Sequence, residues 1–255
     1  MSSYFFIKMK ISIITVTFNA EKFILKTVQS VLNQTFSNIE YIIVDGNSKD
    51  KTVDIIKNES KLHTNIKWIS EPDSGLYDAM NKGMNMATGD FVWFINAGDK
   101  IYSNSTAQHI ADFIIQNPDC DIVYGQTKII DLNDNICGER HKIAPDNLKI
   151  NSFLKGMVVC HQSFLVRLKI APFYDLRYKF SSDFDWVCNC VKKSKKICYI
   201  NEYLSLFMTS GISSKNRKNS LIERFNIMKY HFGIIKTFFA HLILLCKYPF
   251  SKQIN

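Results

Sequence analysis

Short apolar runs alternate with segments of helical spacing along the first hundred residues. Runs rich in Ile, Val and aromatic residues are typical of buried strands. We expect strands at 9–18, 39–45, 65–71 and 90–99. The segments between them repeat apolar residues at intervals of three and four, and they predict helices at 20–33, 52–60 and 73–87. The order β-α-β-α-β-α-β predicts an α/β fold, with a mostly parallel sheet covered by helices on both faces.

The pattern is weaker beyond residue 105, although it still predicts regular elements. The expected elements are a helix at 107–118, a strand at 121–130, a mobile hairpin or loop at 131–150, strand-like structure at 156–167, a helix at 185–194, a strand pair at 196–208 and a polar loop at 209–219. No repeat or linker separates a second domain. We therefore predict one α/β domain over residues 1–214 and a C-terminal helical extension over residues 215–255.

Polar side chains follow each of the first four predicted strands. They are Thr17 and Asn19, Asp45, Glu71 and Asp73, and Asn96 and Asp99. Ligands of parallel α/β sheets bind outside the carboxyl ends of the strands, so these groups predict one binding cleft. No glycine-rich phosphate loop follows the first strand, which argues against a dinucleotide or P-loop site. A carboxylate-bound metal ion is then the natural way to neutralise a diphosphate.

Charge and composition narrow the possible partners. The chain has 255 residues, is 46% hydrophobic and carries a net charge of +9, which suits a globular protein with a large core. Residues 215–255 hold eight Lys or Arg and one Glu, so they supply +7 of that charge. The remaining residues are nearly neutral, which argues against a nucleic-acid-binding surface. Seven cysteines without a CxxC pair indicate a reducing compartment.

The basic C-terminal segment also contains an apolar run from Phe232 to Cys246. As a helix this run is too short to cross a bilayer, and its lysines suit an anionic membrane surface. The alternative is a helix that packs on the domain and exposes a basic face. The N-terminus lacks the pattern of a signal peptide. We therefore expect a cytoplasmic protein, peripheral on the inner face of the membrane.

Two blocks give the sequence a recognisable signature. V-D-G-x-S-x-D-x-T covers residues 44–52, and D-x-G-x-x-x-A-x-N-x-G covers residues 73–83, before an apolar strand that ends in an acid. Residues 9–100 resemble the family 2 glycosyltransferases, and the resemblance continues weakly to about residue 208. It implies the Rossmann-like GT-A fold and inverting transfer from a nucleotide-sugar donor. The sequence looks most similar to bacterial enzymes that build O-antigen, capsule or colanic acid.

The resemblance also implies roles for individual residues. Thr17 and Asn19 would contact the nucleotide, and Asp45 would hydrogen-bond the base. Asp73 and Asn81 would flank the base and the diphosphate. Asn96 replaces the first acid of the family's Asp-x-Asp motif, so that Asp99 remains as the ligand of Mg²⁺ or Mn²⁺. Met80 stands where the family often has an arginine.

Asp183 matches the catalytic base of the family, and Asp185 is the rival candidate. Two residues apart at a helix start, these carboxylates cannot share one face. His161 is either a contact to the acceptor or the diphosphate, or a core histidine. Tyr77 and Trp186 either stack on sugar or fill the core.

The expected activity is metal-dependent hexosyl transfer from a nucleotide-diphosphate donor, with UDP-sugar favoured. The acceptor would be a glycan or a polyprenyl-linked glycan of a surface polysaccharide. One alternative is a sugar-nucleotide nucleotidyltransferase, which normally needs a basic glycine-rich loop after the first strand. Another is a non-catalytic nucleotide-sugar-binding module, which Asn96 keeps open.

Overall fold

The computed structural model describes residues 9–209 and 216–251. Its strands are β1 Ile11–Thr17, β2 Ile39–Asp45, β3 Ile66–Ser70, β4 Phe91–Phe94, β5 Lys100–Ile101, β6 Ile122–Ile130, β7 Ile136–Glu139, β8 Phe164–Arg167 and β9 Ile197–Met208. Its α-helices are α1 Ile24–Leu32, α2 Thr52–Leu62, α3 Leu76–Met86, α4 Thr106–Gln116, α5 Ser182–Lys193, α6 Arg217–Phe232 and α7 Ile234–Ser251. Short 3₁₀ turns lie at Ile150–Lys155, His161–Ser163 and Leu168–Ile170.

One sheet organises the described residues, in the order β3-β2-β1-β4-β8-β6-β9-β5, with β7 paired to β6. The strands β3, β2, β1 and β4 pair with one another in parallel orientation. β8 joins β4 and β6 in antiparallel orientation, whereas β6 and β9 run parallel. The predicted α/β fold with a mostly parallel sheet is confirmed, and the β-α-β-α-β-α-β order of the first four units is as expected.

Alternate residues of the central strands enter two separate cores. Ile14 and Phe94 belong to the core beneath α3, α5 and α6. Ile13 and Trp93 belong to the opposite core, which α1, α2 and α4 cover. This period of two explains why the strands read as continuous apolar runs, because both faces of the sheet are buried.

Three predicted strands differ from the observed ones. β4 ends at Phe94, well before residue 99, because Asn96–Asp99 leave the sheet in a turn where Gly98 has φ of +103°. Within 156–167 only the last four residues form a strand, and His161 lies in a 3₁₀ turn. The predicted strand pair at 196–208 is the single long strand β9, which pairs with β6 along most of its length.

The C-terminal helices α6 and α7 meet at Gly233, whose φ of +82° permits the sharp break between them. Ile227 and Met228 of α6 are buried in the core beneath α3 and α5. Most of the predicted loop at 209–219 and the predicted domain boundary lie in 210–215, outside the described residues. Among the helices described, none is long and apolar enough to span a bilayer.

Candidate active site

Parallel pairing brings the predicted donor residues of β1, β2 and β4 to one edge of the sheet. Thr17 lies opposite Asp45 in the register, and Ala97 donates its backbone N–H to Val16 at 3.2 Å. At this edge Thr17 Oγ1 and Asn96 Oδ1 are buried and have no hydrogen-bond partner among the described residues. Buried polar atoms are nearly always paired, so these two atoms are candidates for ligand contacts.

Asp45 is fully buried and organises the turn that follows β2. Its carboxylate accepts hydrogen bonds from Ser48 N at 2.9 Å, Ser48 Oγ at 2.5 Å and Ser70 Oγ at 2.7 Å. The side chain thereby fixes the loop 46–48 against β3. Its predicted contact to the nucleotide base stays a prediction.

The rim of the cleft surrounds Gly46. A Cβ placed on Gly46 would lie 2.5 Å from Asp73 Oδ2 and 3.4 Å from the ring of Phe18. The other oxygen of Asp73 accepts a hydrogen bond from Gly75 N at 2.9 Å. Asn19, with φ of +48°, accepts a hydrogen bond from Lys49 N at 2.8 Å and so ties the end of β1 to the loop after β2.

Phe18 is a site residue that sequence reasoning missed. Its ring is 62% exposed and stands beside Gly46 and Asp73. An exposed aromatic ring is a ready stacking surface for a planar base. The available signal was a large aromatic residue at the first position after an apolar strand.

Asp99 points into the protein. Its carboxylate accepts hydrogen bonds from Met208 N at 3.0 Å and from Gln162 Nε2 at 2.8 Å, and burial raises its pKa to about 7. Its backbone carbonyl accepts a hydrogen bond from Thr27 Oγ1 at 2.8 Å. Glycine suits position 98 because its φ of +103° is a conformation that other residues rarely adopt, and a Cβ there would also meet the end of the Met208 side chain. These contacts connect the loop after β4 to α1 and β9.

The donor set around Asp99 does not fit a divalent cation as the residues are arranged. Mg²⁺ and Mn²⁺ prefer carboxylate and other oxygen ligands. Both carboxylate oxygens of Asp99 already accept protein hydrogen bonds, and Asn96 offers only an amide oxygen. Within the described ranges no three His, Cys, Asp or Glu side chains gather to hold a metal. The ligand role of Asp99 therefore stays a prediction.

Asp183 lies in the first turn of α5, one turn earlier than the sequence pattern starts this helix. Its Oδ1 accepts hydrogen bonds from the Tyr77 hydroxyl at 3.1 Å and from Phe184 N at 2.9 Å. Oδ2 accepts none from the residues that the structure describes. The half-buried carboxylate is thus held by one oxygen, with the other available to a hydroxyl group.

Aromatic stacking fixes the position of Tyr77. The ring of Tyr174 stacks on Tyr77 at a centroid distance of 5.6 Å and on Trp186 at 5.1 Å. Asn81 clamps the backbone of Tyr174, donating to its carbonyl at 3.0 Å and accepting from its N–H at 2.7 Å. In this arrangement the amide of Asn81 serves the stack, and its predicted contact to the donor stays a prediction.

His161 and Trp186 lie inside this aromatic cluster. His161 is 5% exposed, shares a hydrogen bond of 2.6 Å with the Tyr174 hydroxyl, and has its pKa lowered to about 4 by burial. Trp186 is 1% exposed and donates its indole N–H to Pro172 at 2.6 Å. Neither side chain reaches the surface of the cleft. Both therefore lie in the core, which is one of the two placements that the sequence left open.

Asp185 has different partners from Asp183. It bonds His231 Nε2 at 2.7 Å and accepts a hydrogen bond from Asn189 Nδ2 at 2.9 Å. The two carboxylates therefore serve separate sides of α5, as their spacing predicts. Asp185 therefore connects α6 to α5. Because both oxygens of Asp185 are already hydrogen-bonded, Asp183 is favoured as the candidate base.

Helix α6 also holds the segment directly before α5. The carboxylate of Glu223 accepts hydrogen bonds from the backbone N–H groups of Lys179 and Phe180, both at 2.8 Å. One residue further, the hydroxyl of Ser181 bonds Ser220 Oγ at 2.9 Å. Sequence reasoning did not identify Glu223 as a candidate. The available signal was that Glu223 is the only acidic residue of the basic segment 215–255.

The comparison with known protein families shows the family of this chain. The profile described as "Glycosyl transferase family 2" matches residues 12–171 of the chain. The chain belongs to this family. It is a glycosyltransferase, and the family resemblance read from residues 9–100 is confirmed.

Curated relatives of this family 2 glycosyltransferase cover most of its length. A "PGL/p-HBAD biosynthesis glycosyltransferase" of Mycobacterium bovis is 28% identical over 218 residues, covering 84% of this chain and 80% of the relative. An "Uncharacterized glycosyltransferase" of Haemophilus influenzae is 28% identical over 243 residues, covering 91% and 94%.

Solved structures share the fold at low sequence identity. The S. aureus TarS fragment 1–349 in complex with UDP-GlcNAc aligns with a TM-score of 0.73 and 19% identity, covering 87% of this chain. This chain spans 65% of that TarS fragment. The mannosyltransferase PcManGT from Pyrobaculum calidifontis, in complex with GDP-Man and Mn²⁺, aligns with a TM-score of 0.66 and 13% identity, covering 91% of this chain and 70% of that one. These likenesses show the GT-A fold.

Proposed function

We propose that this glycosyltransferase moves a sugar from a nucleotide-diphosphate donor, UDP-sugar favoured, to a glycan or lipid-linked acceptor with inversion at the anomeric carbon. The observation that carries the proposal is the carboxylate of Asp183, held through Oδ1 by Tyr77 with Oδ2 unpaired among the described residues. A general base needs such a positioned, accepting oxygen.

The donor side of the proposal rests on the cleft at the ends of β1, β2 and β4. The unpaired Thr17 Oγ1 and Asn96 Oδ1 offer hydrogen bonds, and the exposed ring of Phe18 offers a stacking surface for the base. UDP-GlcNAc is bound in the TarS fragment and GDP-Man in PcManGT, which supports a nucleotide-sugar donor here. Asp45 supports the loop beneath this cleft.

The chemistry follows from one proton transfer. The acceptor hydroxyl gives its proton to Asp183 Oδ2 while its oxygen bonds to the anomeric carbon. The bond between that carbon and the diphosphate oxygen breaks, and the nucleoside diphosphate leaves with the electron pair. One direct displacement inverts the anomeric centre, and a positioned base accelerates it by roughly 10²–10⁴.

The proposal includes metal dependence, although the described residues do not form a set of ligands for the ion. Its support is the family and the Mn²⁺ bound in PcManGT. The test is transfer activity after treatment with EDTA and dialysis, with and without added Mn²⁺ or Mg²⁺. Loss and recovery of activity support the prediction, and full activity without a divalent ion contradicts it.

The acceptor side of the proposal includes an anionic membrane surface. One broad face of α7 exposes apolar side chains at helical spacing, namely Ile234, Ile235, Phe238, Phe239, Leu242 and Ile243. The exposed Lys229 and Lys236 lie on the same helix pair. Exposed apolar side chains flanked by lysines suit an interfacial helix on anionic lipid, where a lipid-linked acceptor would be found.

Vesicle flotation tests the membrane surface. The wild-type protein should float with vesicles containing anionic lipid, and the double variant Phe238→Ser with Phe239→Ser should not. Leu132→Ser, which changes an exposed apolar residue elsewhere, is the matched control and should float like the wild type. Equal flotation of the wild type and the double variant would remove the membrane from the proposal.

A panel of nucleotide sugars tests the transfer itself. Slow donor hydrolysis releases nucleoside diphosphate and free sugar, and proton NMR of a transferred product gives its anomeric configuration. In a parallel assay supplied with a nucleoside triphosphate and a sugar 1-phosphate, release of pyrophosphate would indicate a nucleotidyltransferase instead. Binding of donors without any turnover would indicate a binding module. An inverted glycoside is the result that the proposal predicts.

A further inference from the structure

Three cationic side chains that form no ion pair among the described residues gather beside α6. Arg140 directly follows β7, Lys142 lies in the next loop, and Arg224 is in α6, one residue after Glu223. All three are half-buried. Burial and, to a smaller extent, the charges of Arg140 and Arg224 together lower the pKa of Lys142 to about 8. This effect requires the two guanidinium groups to lie near Lys142.

Protein carbonyl groups hold two of these cations in place. Lys142 Nζ donates to the carbonyl of Lys155 at 2.6 Å, and Arg140 Nη2 donates to the carbonyl of Met157 at 2.8 Å. The carbonyl groups flank Gly156, so the two side chains converge on one turn. The 3₁₀ turn before Gly156 packs against α6, the helix that carries Arg224.

No carboxylate of the described residues pairs with this group. None of the three cations forms an ion pair in the described part of the chain, and Arg224 Nε is buried there without a hydrogen-bond partner. The segments outside the description, 1–8, 210–215 and 252–255, contain no Asp or Glu. Half-buried cations that repel one another are costly unless an anion joins them.

We propose that Arg140, Lys142 and Arg224 form a binding site for a phosphate or diphosphate group. Guanidinium groups bind phosphate oxygens in a bidentate manner, and an ammonium group adds a compact charge. The unpaired Nε of Arg224 supplies a donor that no protein group uses. None of the three residues lies on the elements that carry Thr17 or Asp45.

The place of the site in the molecule suggests its use. Glu223, next to Arg224, holds the backbone at 179–180, three and four residues before Asp183. A phosphate bound by Arg224 would therefore lie on the helix that also holds the backbone before the candidate base. A lipid-linked acceptor carries such a phosphate beside its first sugar, and the donor carries one at its own diphosphate. The role in transfer rests on the proposed function, whereas phosphate binding does not.

Calorimetric titration of the full chain with inorganic pyrophosphate tests the site. Arg224→Gln is the informative variant, because it removes the positive charge and a buried Nε that has no hydrogen-bond partner among the described residues. It should weaken pyrophosphate binding tenfold or more, and Lys142→Met should do the same. Lys229→Ala, an exposed lysine on the same helix, is the matched control and should bind within twofold of the wild type.

Two further ligands distinguish the source of the phosphate. Weakened binding of farnesyl diphosphate with unchanged binding of UDP assigns the site to a lipid-linked acceptor. The opposite pattern assigns it to the donor. Equal pyrophosphate binding by the wild type and Arg224→Gln, or no binding by the wild type at millimolar concentration, overturns the site. Donor hydrolysis, measured separately, reports on the proposed function, so that the two failures can be told apart.

Discussion

The Tyr77 hydroxyl donates a hydrogen bond to Asp183 Oδ1 at 3.1 Å, and this contact joins two residues separated by 106 positions in the chain. Tyr77 belongs to the block at 73–83 that the family resemblance assigns to the donor. Asp183 lies in the first turn of α5, far along the chain from this block. The hydrogen bond therefore links the donor half to the candidate base.

Tyr77→Phe should slow transfer about tenfold, because Asp183 Oδ1 loses the hydrogen bond that positions the carboxylate. Phenylalanine keeps the ring stack while removing the donor. The measurement is kcat and the KM of the acceptor at saturating donor, and the loss should fall on kcat. Tyr230→Phe, in which an exposed tyrosine is changed, is the control. An unchanged kcat in Tyr77→Phe would contradict a positioning role.

Glu223→Ala should lower kcat while leaving the dissociation constant of the donor within about twofold. The variant strips the backbone N–H groups of Lys179, which is exposed, and Phe180, which is half-buried, of their acceptor just before α5, and this costs about 1 kcal/mol per hydrogen bond. Hydrogen exchange at Lys179 and Phe180 should quicken. Glu223→Gln keeps one accepting oxygen and should recover part of the activity. Asn226→Ala, exposed on the same helix, should behave as the wild type, and a matching loss there would argue against the specific contact.

Phe18→Ala should weaken donor binding about fivefold, since stacking of a base on an aromatic ring contributes about 1 kcal/mol or more. Stability should change little because the ring is largely exposed. The measurement is titration of UDP into each variant. Leu62→Ala removes an equally exposed apolar residue at a distance from the cleft, and it should bind UDP normally. Unweakened binding by Phe18→Ala would remove Phe18 from the base site.

His161 should make the protein less stable in acid. Burial lowers the pKa of His161 from 6.5 to about 4, so the unfolded state binds the proton first as the pH falls. Its contribution is complete above pH 6.5 and is lost as the pH falls toward 4, by up to about 3 kcal/mol. His161→Gln should flatten the unfolding free energy over this range. His141→Gln, at an exposed position, should keep the wild-type slope.

The sequence predicted the half of the fold that local pattern determines. Strands β1 to β3 and helices α1 to α3 appear within a few residues of their expected bounds. The local pattern is strongest in β1 and β2, because both strands are buried along their whole length. Strands β5 and β8 and the full length of β9 depend on pairing across the chain, which no local pattern contains. The early start of α5 likewise reflects the hydrogen bonds between Ser181 and Ser220.

The sequence predicted which residues form the candidate site better than it predicted where their side chains point. The sequence places Asp99 after β4 but cannot show that its carboxylate faces Gln162, which lies 63 residues later. It marks Asp183 and Asp185 as alternatives, whereas their partners Tyr77 and His231 distinguish them only in three dimensions. The role of Glu223 could not be predicted for the same reason, because the two backbone N–H groups that it binds lie 43 and 44 residues away in the chain.

Asp183→Asn is the most direct test of the account. The substitution keeps the size of the side chain and an acceptor for the Tyr77 hydroxyl, but it removes the charge that receives the acceptor proton. Transfer to acceptor should fall by roughly 10²–10⁴, with donor binding and melting temperature close to those of the wild type. Asp185→Asn serves as the matched variant and should retain most of the transfer rate. Near-wild-type transfer by Asp183→Asn, measured with a donor that the enzyme binds, would contradict the assignment of the base.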